Sequence, residues 1–227
     1  MNCFMENHNR KPQHTHAELQ EVYGQVPPSY WDDSYRTNII QRLYHDLRFR
    51  AVRKMLADLP RDGKILDVGC GSGFAVEHCA RGRADWQIYG IDVAPTLIQY
   101  AKEKRPQFHF ELAKAEQLPF PDGMFDVVLS LDTIEHLVDP ARALAEARRV
   151  LKGNGVLVVL VVLEHHPLFR LIWWLWMKWR GKVWHGAHLR IFTKSSLRKL
   201  AEGSGFAIVE LRSLFVGMSV LMKAKKG

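Results

Sequence analysis

Ile65-Leu66-Asp67-Val68-Gly69-Cys70-Gly71-Ser72-Gly73-Phe74 is the stretch on which the fold turns. Ile65, Leu66 and Val68 form a short apolar run that reads as a buried parallel strand, interrupted by Asp67. Gly69, Gly71 and Gly73 follow at alternate positions. Glycine tolerates positive φ and lets a ligand come close to the backbone. A strand that ends in such a loop and runs into a helix presents free N–H groups at the carboxyl edge of a sheet. The spacing is G-x-G-x-G, not the dinucleotide G-x-G-x-x-G, so the loop alone does not name its ligand.

Working outward, alternation of strand and helix patterns continues on the C-terminal side. Strands are predicted at 64–68, 87–91, 107–112, 125–131 and 155–163, with helices at 73–81, 95–104 and 140–151 between them. This order implies a parallel sheet covered on both faces. A helix at Ser195–Gly203 follows, then strands Phe206–Arg212 and Val216–Ala224, whose short connection makes them antiparallel. The expected fold is therefore α/β and doubly wound, with seven strands, mostly parallel and one reversed near the edge. On the N-terminal side, Ile39, Ile40, Leu43, Leu47, Val52, Met55 and Leu56 recur at helical spacing, which predicts one helix over Ser34–Asp58. Residues 1–28 read as a flexible leader and 29–227 as a single domain, with a helical cap at 29–60 and an insertion at 164–190.

Three further segments carry chemistry. Asp92 ends the run I-Y-G-I-D, nineteen residues after Gly73, where an acid at a strand tip accepts hydrogen bonds from ribose hydroxyls. A-E-Q-L-P-F-P-D-G-M-F-D-V-V-L-S-L runs from Ala115 to Leu131 as a turn and a strand. I-E-H-L-V-D-P (Ile134 to Pro140) and R-V-L-K-G-N-G-V-L-V-V-L (Arg149 to Leu160) complete the set. In this order the motifs resemble the class I S-adenosylmethionine-dependent methyltransferases, in particular the branch containing ubiquinone and menaquinone methyltransferases. The resemblance is close from Leu59 to Leu163 and loose beyond.

It implies that the cofactor is S-adenosylmethionine, with its amino-acid and ribose portions against Gly69, Gly71 and Gly73, its ammonium held by Asp67, its ribose by Asp92 and its adenine beside Val93. Relatives carry an Asp before the A-E of the third motif, whereas this chain has Lys114. Lysine offers only donors, so adenine recognition passes to the backbone at Ala115 and Glu116 or to the Glu116 side chain. A non-enzymatic cofactor-binding relative is the alternative that Lys114 motivates. If the acceptor is a hydroxyl, the candidate bases after the fourth strand are Asp132, Glu135 and His136, with His185 and His188 as rivals. For Glu135 and His136 the favoured reading is the blander one, that they brace their loop. Tyr30, Trp31, Tyr44 and His45 form an N-terminal lid by resemblance.

Composition bounds the partners. Of 227 residues, 47% are apolar and 25% charged, which fits a globular domain. Three cysteines, one inside the glycine loop, suggest a reducing compartment, hence the cytoplasm. A polar leader bearing His8, His14 and His16 reads as a disordered lead, and no metal site is expected. The net charge of +8 is concentrated in Glu164–Leu200, with eight Lys or Arg against one acid, alongside five of the seven tryptophans. Trp173, Trp174, Trp176 and Trp179 among basic residues read as an interfacial helix, too short to cross a bilayer, that docks peripherally on a membrane or delivers a hydrophobic or lipid acceptor. A homodimer face or a plain lid is the alternative, the latter pairing with a soluble small-molecule methyltransferase. Nucleic acid is disfavoured, because neither an Asn/Asp-Pro-Pro-Tyr motif nor a Pro-Cys motif is present.

Overall fold

The computed structural model describes residues 24–163, 166–167, 169–170 and 190–227. The leader histidines, His185, His188 and Trp173, Trp174, Trp176 and Trp179 lie outside the described residues.

Five apolar runs become the parallel strands β1 (Lys64–Val68), β2 (Gln87–Asp92), β3 (His109–Leu112), β4 (Phe125–Leu131) and β5 (Leu151–Val162). The two closing strands are β6 (Phe206–Leu214) and β7 (Ser219–Lys226). Sheet order is β3-β2-β1-β4-β5-β7-β6, with β7 antiparallel to both of its neighbours. The reversed strand thus sits one place in from the edge. Chain order reverses between β1 and β4, which are adjacent in space. In open α/β sheets, ligands bind at the carboxyl ends of strands flanking such a reversal.

Period-two alternation sends each strand's side chains into two layers. Leu66, Val128, Val159 and Val161 pack with Ala143, Leu144 and Ala147 of α5 (Pro140–Val150) and with Leu197 and Ala201 of α6 (Lys194–Gly203). Ile65, Val127, Leu129 and Val158 pack on the other side with Phe49, Val52 and Met55 of α2 (Ile39–Met55) and with Phe74 and Val76 of α3 (Phe74–Cys79). All seven residues of β4 are buried, as a central strand covered on both faces requires. Helix α4 (Pro95–Lys104) joins β2 to β3.

The single N-terminal helix expected over Ser34–Asp58 is instead two, α1 (Tyr30–Thr37) and α2. Asn38 makes the break: its backbone is extended, and its side chain accepts from the N–H groups of Ile40 (3.0 Å) and Gln41 (3.2 Å), capping α2. Val26, which the sequence reading assigns to the leader, is only 4% exposed. The last strand begins at Ser219 and not at Val216, since Phe215–Gly217 form a tight turn with φ of 51°, 57° and 97°. Among the described residues, no helix is long and apolar enough to cross a membrane.

Candidate functional site

A cavity of about 550 Å³ opens at the carboxyl ends of β1, β2 and β4 and is roofed by the N-terminal cap. Gly69, Gly71, Asp92, Val93, Ala115, Glu116, Asp132 and His136 all line it. Asp67 and Gly73, also expected to meet the cofactor, do not. Sequences far apart thus meet at one place because β1 and β4 are neighbours.

The glycine loop is held from below. The N–H groups of Gly69 and Cys70 both donate to the Ile91 carbonyl (2.8 and 2.9 Å), tying the loop to the end of β2. Gly69 has φ +72°, and a Cβ there would stand 2.2 Å from Thr133 Cγ2, so the loop passes too close to the β4 exit for any side chain. Gly71 is the opposite case: φ is +54° and a Cβ would meet nothing within 4 Å. Its demand is conformational, and it leaves bare backbone facing the cavity.

Asp92 secures the tip of that loop. Its Oδ2 accepts from Gly71 N–H and its Oδ1 from Ala94 N–H, both at 2.9 Å. With Val93 N–H as a third donor, the carboxylate keeps about one of its roughly four lone-pair sites for a hydroxyl. Burial raises the Asp92 pKa, while the bonds from the Ala94, Gly71 and Val93 N–H groups oppose the rise. Asp67 is 1% exposed, and burial followed by the Asp92 charge pushes its carboxyl well above the usual range. A cationic group nearby would return it to the carboxylate. The Cys70 thiol is likewise driven well up, first by burial, so it is not a nucleophile.

Beyond Asp92, the wall consists of Val93, Leu97, Ala113 and Ala115, an apolar slot suited to a flat ring. Glu116 Oε1 accepts from Asp139 N–H at 3.1 Å. Lys114 is exposed and pairs with Gln117 in a turn, away from the cavity lining.

The other end of the cavity is built by α2 and the exit of β4. Arg48, 4% exposed, pairs with Asp132, whose φ is +52°. Burial, the largest influence, would lower the Arg48 pKa; the Asp132 charge and hydrogen bond together with Tyr44 and Glu135 outweigh it and raise the pKa, so the guanidinium stays protonated. Glu135 is 2% exposed, and burial, then the Asp132 charge, push its carboxyl well above the ordinary range. His45 is pushed down to about 3 by burial and then by Arg48, and is therefore neutral. Five buried polar atoms here have no hydrogen-bond partner: His45 Nδ1, Arg48 Nε, Asp132 Oδ1 and both Glu135 oxygens. The 3-10 turn Ile134–His136 is braced by backbone, with Arg190 N–H donating to Glu135 O and His136 N–H to Thr133 O. Arg48 escaped the sequence reading. The ladder of Phe49, Val52 and Met55 on α2, followed upward at helical spacing, leads to His45 and Arg48 on the buried face.

Arg105 ties the two ends together. It is 2% exposed and donates to Ser72 O in the loop (3.0 Å), to Glu77 on α3 (3.0 Å) and to Asp32 on α1 (2.6 Å). One guanidinium thereby fixes the cap over the glycine loop. Gly73 makes room for it, since a Cβ there would lie 3.0 Å from Arg105 Cδ and 2.6 Å from Phe110 Cζ.

Residues 66–159 match a family described as a methyltransferase domain. The chain is 32% identical over 151 residues to an O-methyltransferase of Penicillium expansum, covering 63% of this chain and 53% of that protein. It is 31% identical over 152 residues to the ubiquinone/menaquinone biosynthesis C-methyltransferase of Geobacter sp. (strain M21), covering 63% and 62%. The chain thus matches under two thirds of the length of these relatives. A solved S-adenosylmethionine-dependent methyltransferase from Aquifex aeolicus superposes with a TM-score of 0.62 at 16% identity, over 95% of this chain and 100% of that one, a likeness of fold.

Proposed function

We propose, from the match of residues 66–159 to a methyltransferase domain family, that the protein uses S-adenosylmethionine to transfer a methyl group to a hydrophobic, membrane-associated acceptor bearing a hydroxylated ring, such as a quinone precursor. The observation that carries this reading is the single cavity with two unlike ends. Bare loop backbone and Asp92 stand at one end, and the Arg48–Asp132–Glu135 corner, set in otherwise apolar walls, stands at the other. Phospholipid head groups and other polyprenyl-linked compounds have the same amphipathic form, and the acceptor assay separates them.

S-Adenosylmethionine supplies an electrophilic methyl group on a sulfonium sulfur. The residues fit it in part: Gly71 leaves open space where a Cβ would stand and Asp92 lines the cavity with a carboxylate for a ribose hydroxyl, whereas Asp67, buried and outside the lining, would not touch the ammonium directly. Val93 and Leu97 would flank the adenine, with Ala115 and Glu116 lining the same part of the cavity. The residues at the acceptor end align the nucleophile and exclude water. As the new bond to the methyl carbon forms and the carbon–sulfur bond breaks, the acceptor's proton passes to a base. Asp132 Oδ1 is buried, lines the cavity and is unpartnered, while Arg48 grips the carboxylate by its other oxygen. His136 lines the same cavity and is the second base candidate. Glu135, kept protonated, donates a hydrogen bond to the acceptor's oxygen.

The test is donor binding by calorimetry, followed by transfer from methyl-labelled donor to a demethylated prenyl quinone, a catechol without a tail and a phospholipid. Transfer to the prenylated ring, lost in Asp132→Asn and retained in His136→Gln, is the expected result. Transfer to the tail-less catechol at equal kcat/KM would favour a soluble small-molecule enzyme. Donor binding without transfer to any acceptor would return the non-enzymatic reading.

A further inference from the structure

Helix α2 has two apolar faces, and only one of them reaches the core. Seven of its side chains are exposed: Ile39, Ile40, Leu43 and Leu47 are aliphatic, Arg42, Arg50 and Lys54 are basic, and none is acidic. At 3.6 residues per turn, all seven fall within one arc of roughly 160°. Ile39, Ile40 and Leu43 are 64%, 76% and 60% exposed. Single exposed apolar residues are ordinary on protein surfaces, but a contiguous stripe of them is not.

A second element extends the stripe. The Tyr44 ring lies 4.9 Å from that of Phe215, which brings the β6–β7 turn against α2. Val216 at the tip of this turn is 86% exposed. Its φ of 57° lies in the left-handed region, where a β-branched residue is strained. The hairpin therefore holds a strained valine out in solvent, where it does nothing for the core. The surface is also continuous with the cavity, whose lining includes Ile40, Gln41, Tyr44 and Met218.

We propose that the outer face of α2, together with the Val216 tip, is a docking surface for an anionic lipid bilayer and turns the cavity mouth toward it. Charge complementarity selects this occupant. An aliphatic stripe flanked by three exposed cations, with the half-buried Asp46 in the same arc bonded to Tyr35 OH at 2.6 Å, suits acyl chains beneath anionic head groups, and each basic residue at such a surface strengthens partitioning roughly fivefold. The proposal deepens the reading of a membrane-borne acceptor and rests on it. It assigns the contact to the cap, independently of the tryptophan-rich segment.

The experiment is co-sedimentation of the full chain with vesicles of phosphatidylcholine, with and without phosphatidylglycerol. The wild type is expected to partition onto the mixed vesicles. Ile39→Glu/Leu43→Glu should weaken that partitioning at least tenfold, and Arg42→Gln/Arg50→Gln should remove most of the preference for the anionic lipid. Circular dichroism and donor calorimetry without vesicles check that both variants fold and hold the donor. Partitioning unchanged in Ile39→Glu/Leu43→Glu, or lost only in Trp173→Asp, overturns the proposal. So does a dimer, seen by sedimentation, that these substitutions dissociate, since a second copy would then cover the face. Failure of the wild type to bind donor would instead strike the methyl-transfer reading and leave the vesicle result standing.

Discussion

The two ends of the cavity are built on opposite principles. At the donor end, backbone does the work: Gly69, Cys70, Gly71 and Ala94 N–H groups are matched to the Ile91 carbonyl and the Asp92 carboxylate before any ligand arrives. At the acceptor end, side chains from α2 and the β4 exit converge, and five of their buried polar atoms lack partners. A site finished in advance is rigid and serves one ligand. A site with unmatched polar atoms pays a standing cost of desolvation that a complementary ligand relieves. The contrast fits one invariant donor beside an acceptor that differs among enzymes of one fold, as with the O- and C-methyltransferases that this chain resembles.

The contrast breaks most visibly at Arg48 and Asp132. Asp132→Ala leaves a buried cation unpaired and should cost about 3–5 kcal/mol in chemical denaturation. Arg48→Met leaves the half-exposed Asp132 to water and should cost less, about 1–2 kcal/mol, with the double variant recovering much of the loss. Equal single costs would mean that the pair is not buried as described. Next is Asp92→Ala, which removes its charge-assisted bonds and the ribose acceptor; calorimetry should read donor affinity about 100-fold weaker. The glycines then separate folding from binding. Gly69→Ala must push into Thr133 and should lower stability by about 2–3 kcal/mol. Gly71→Ala meets only open space, so it should cost about 1 kcal/mol of backbone strain while still obstructing the donor.

A smaller effect concerns pH. A raised carboxyl pKa contributes stability that is present below its unfolded value and is lost as pH rises through its folded value. Glu135→Gln should therefore gain on the wild type between pH 5 and 8, by about 1–2 kcal/mol at the upper end, read as a widening difference in Tm. His45 works in the reverse sense: the unfolded imidazole binds protons first, so its share of stability is lost as pH falls from about 6.5 toward about 3. Smallest of all, Lys114→Ala should change donor affinity less than about threefold, since loss of an exposed side chain away from the cavity seldom exceeds about 0.5 kcal/mol.

The donor end was legible because its signals are local. Glycines at fixed spacing and an acid at a strand tip announce themselves within thirty residues, and β1, α4 and β4 run as the patterns predict. The acceptor end was legible only in part. Asp132, Glu135 and His136 stand out after a strand, but Arg48 lies 84 residues from its partner and looks like one more arginine on a helix face. Arg105 is hidden for the same reason, being joined to Asp32 across 73 residues. The break at Asn38 is missed by a helix begun at Ser34, although every periodic residue from Ile39 to Leu56 follows Asn38, itself a capping residue. The apolar periodicity also merged two faces of α2, counting Ile39, Ile40, Leu43 and Leu47 with residues that do reach the core.

The position of β7 bears on how the chain is made. It follows every other strand in sequence, yet it lies inside the sheet, between β5 and β6. Until it emerges from the ribosome, β5 presents Val156 to Val161, V-L-V-V-L-V, as a bare edge of apolar residues that the finished protein buries completely. Such an edge invites pairing with other chains. A nascent polypeptide stalled before Ser219 is therefore a substrate for chaperones or for aggregation, and one cut short there loses the strand that joins β6 to the rest of the sheet.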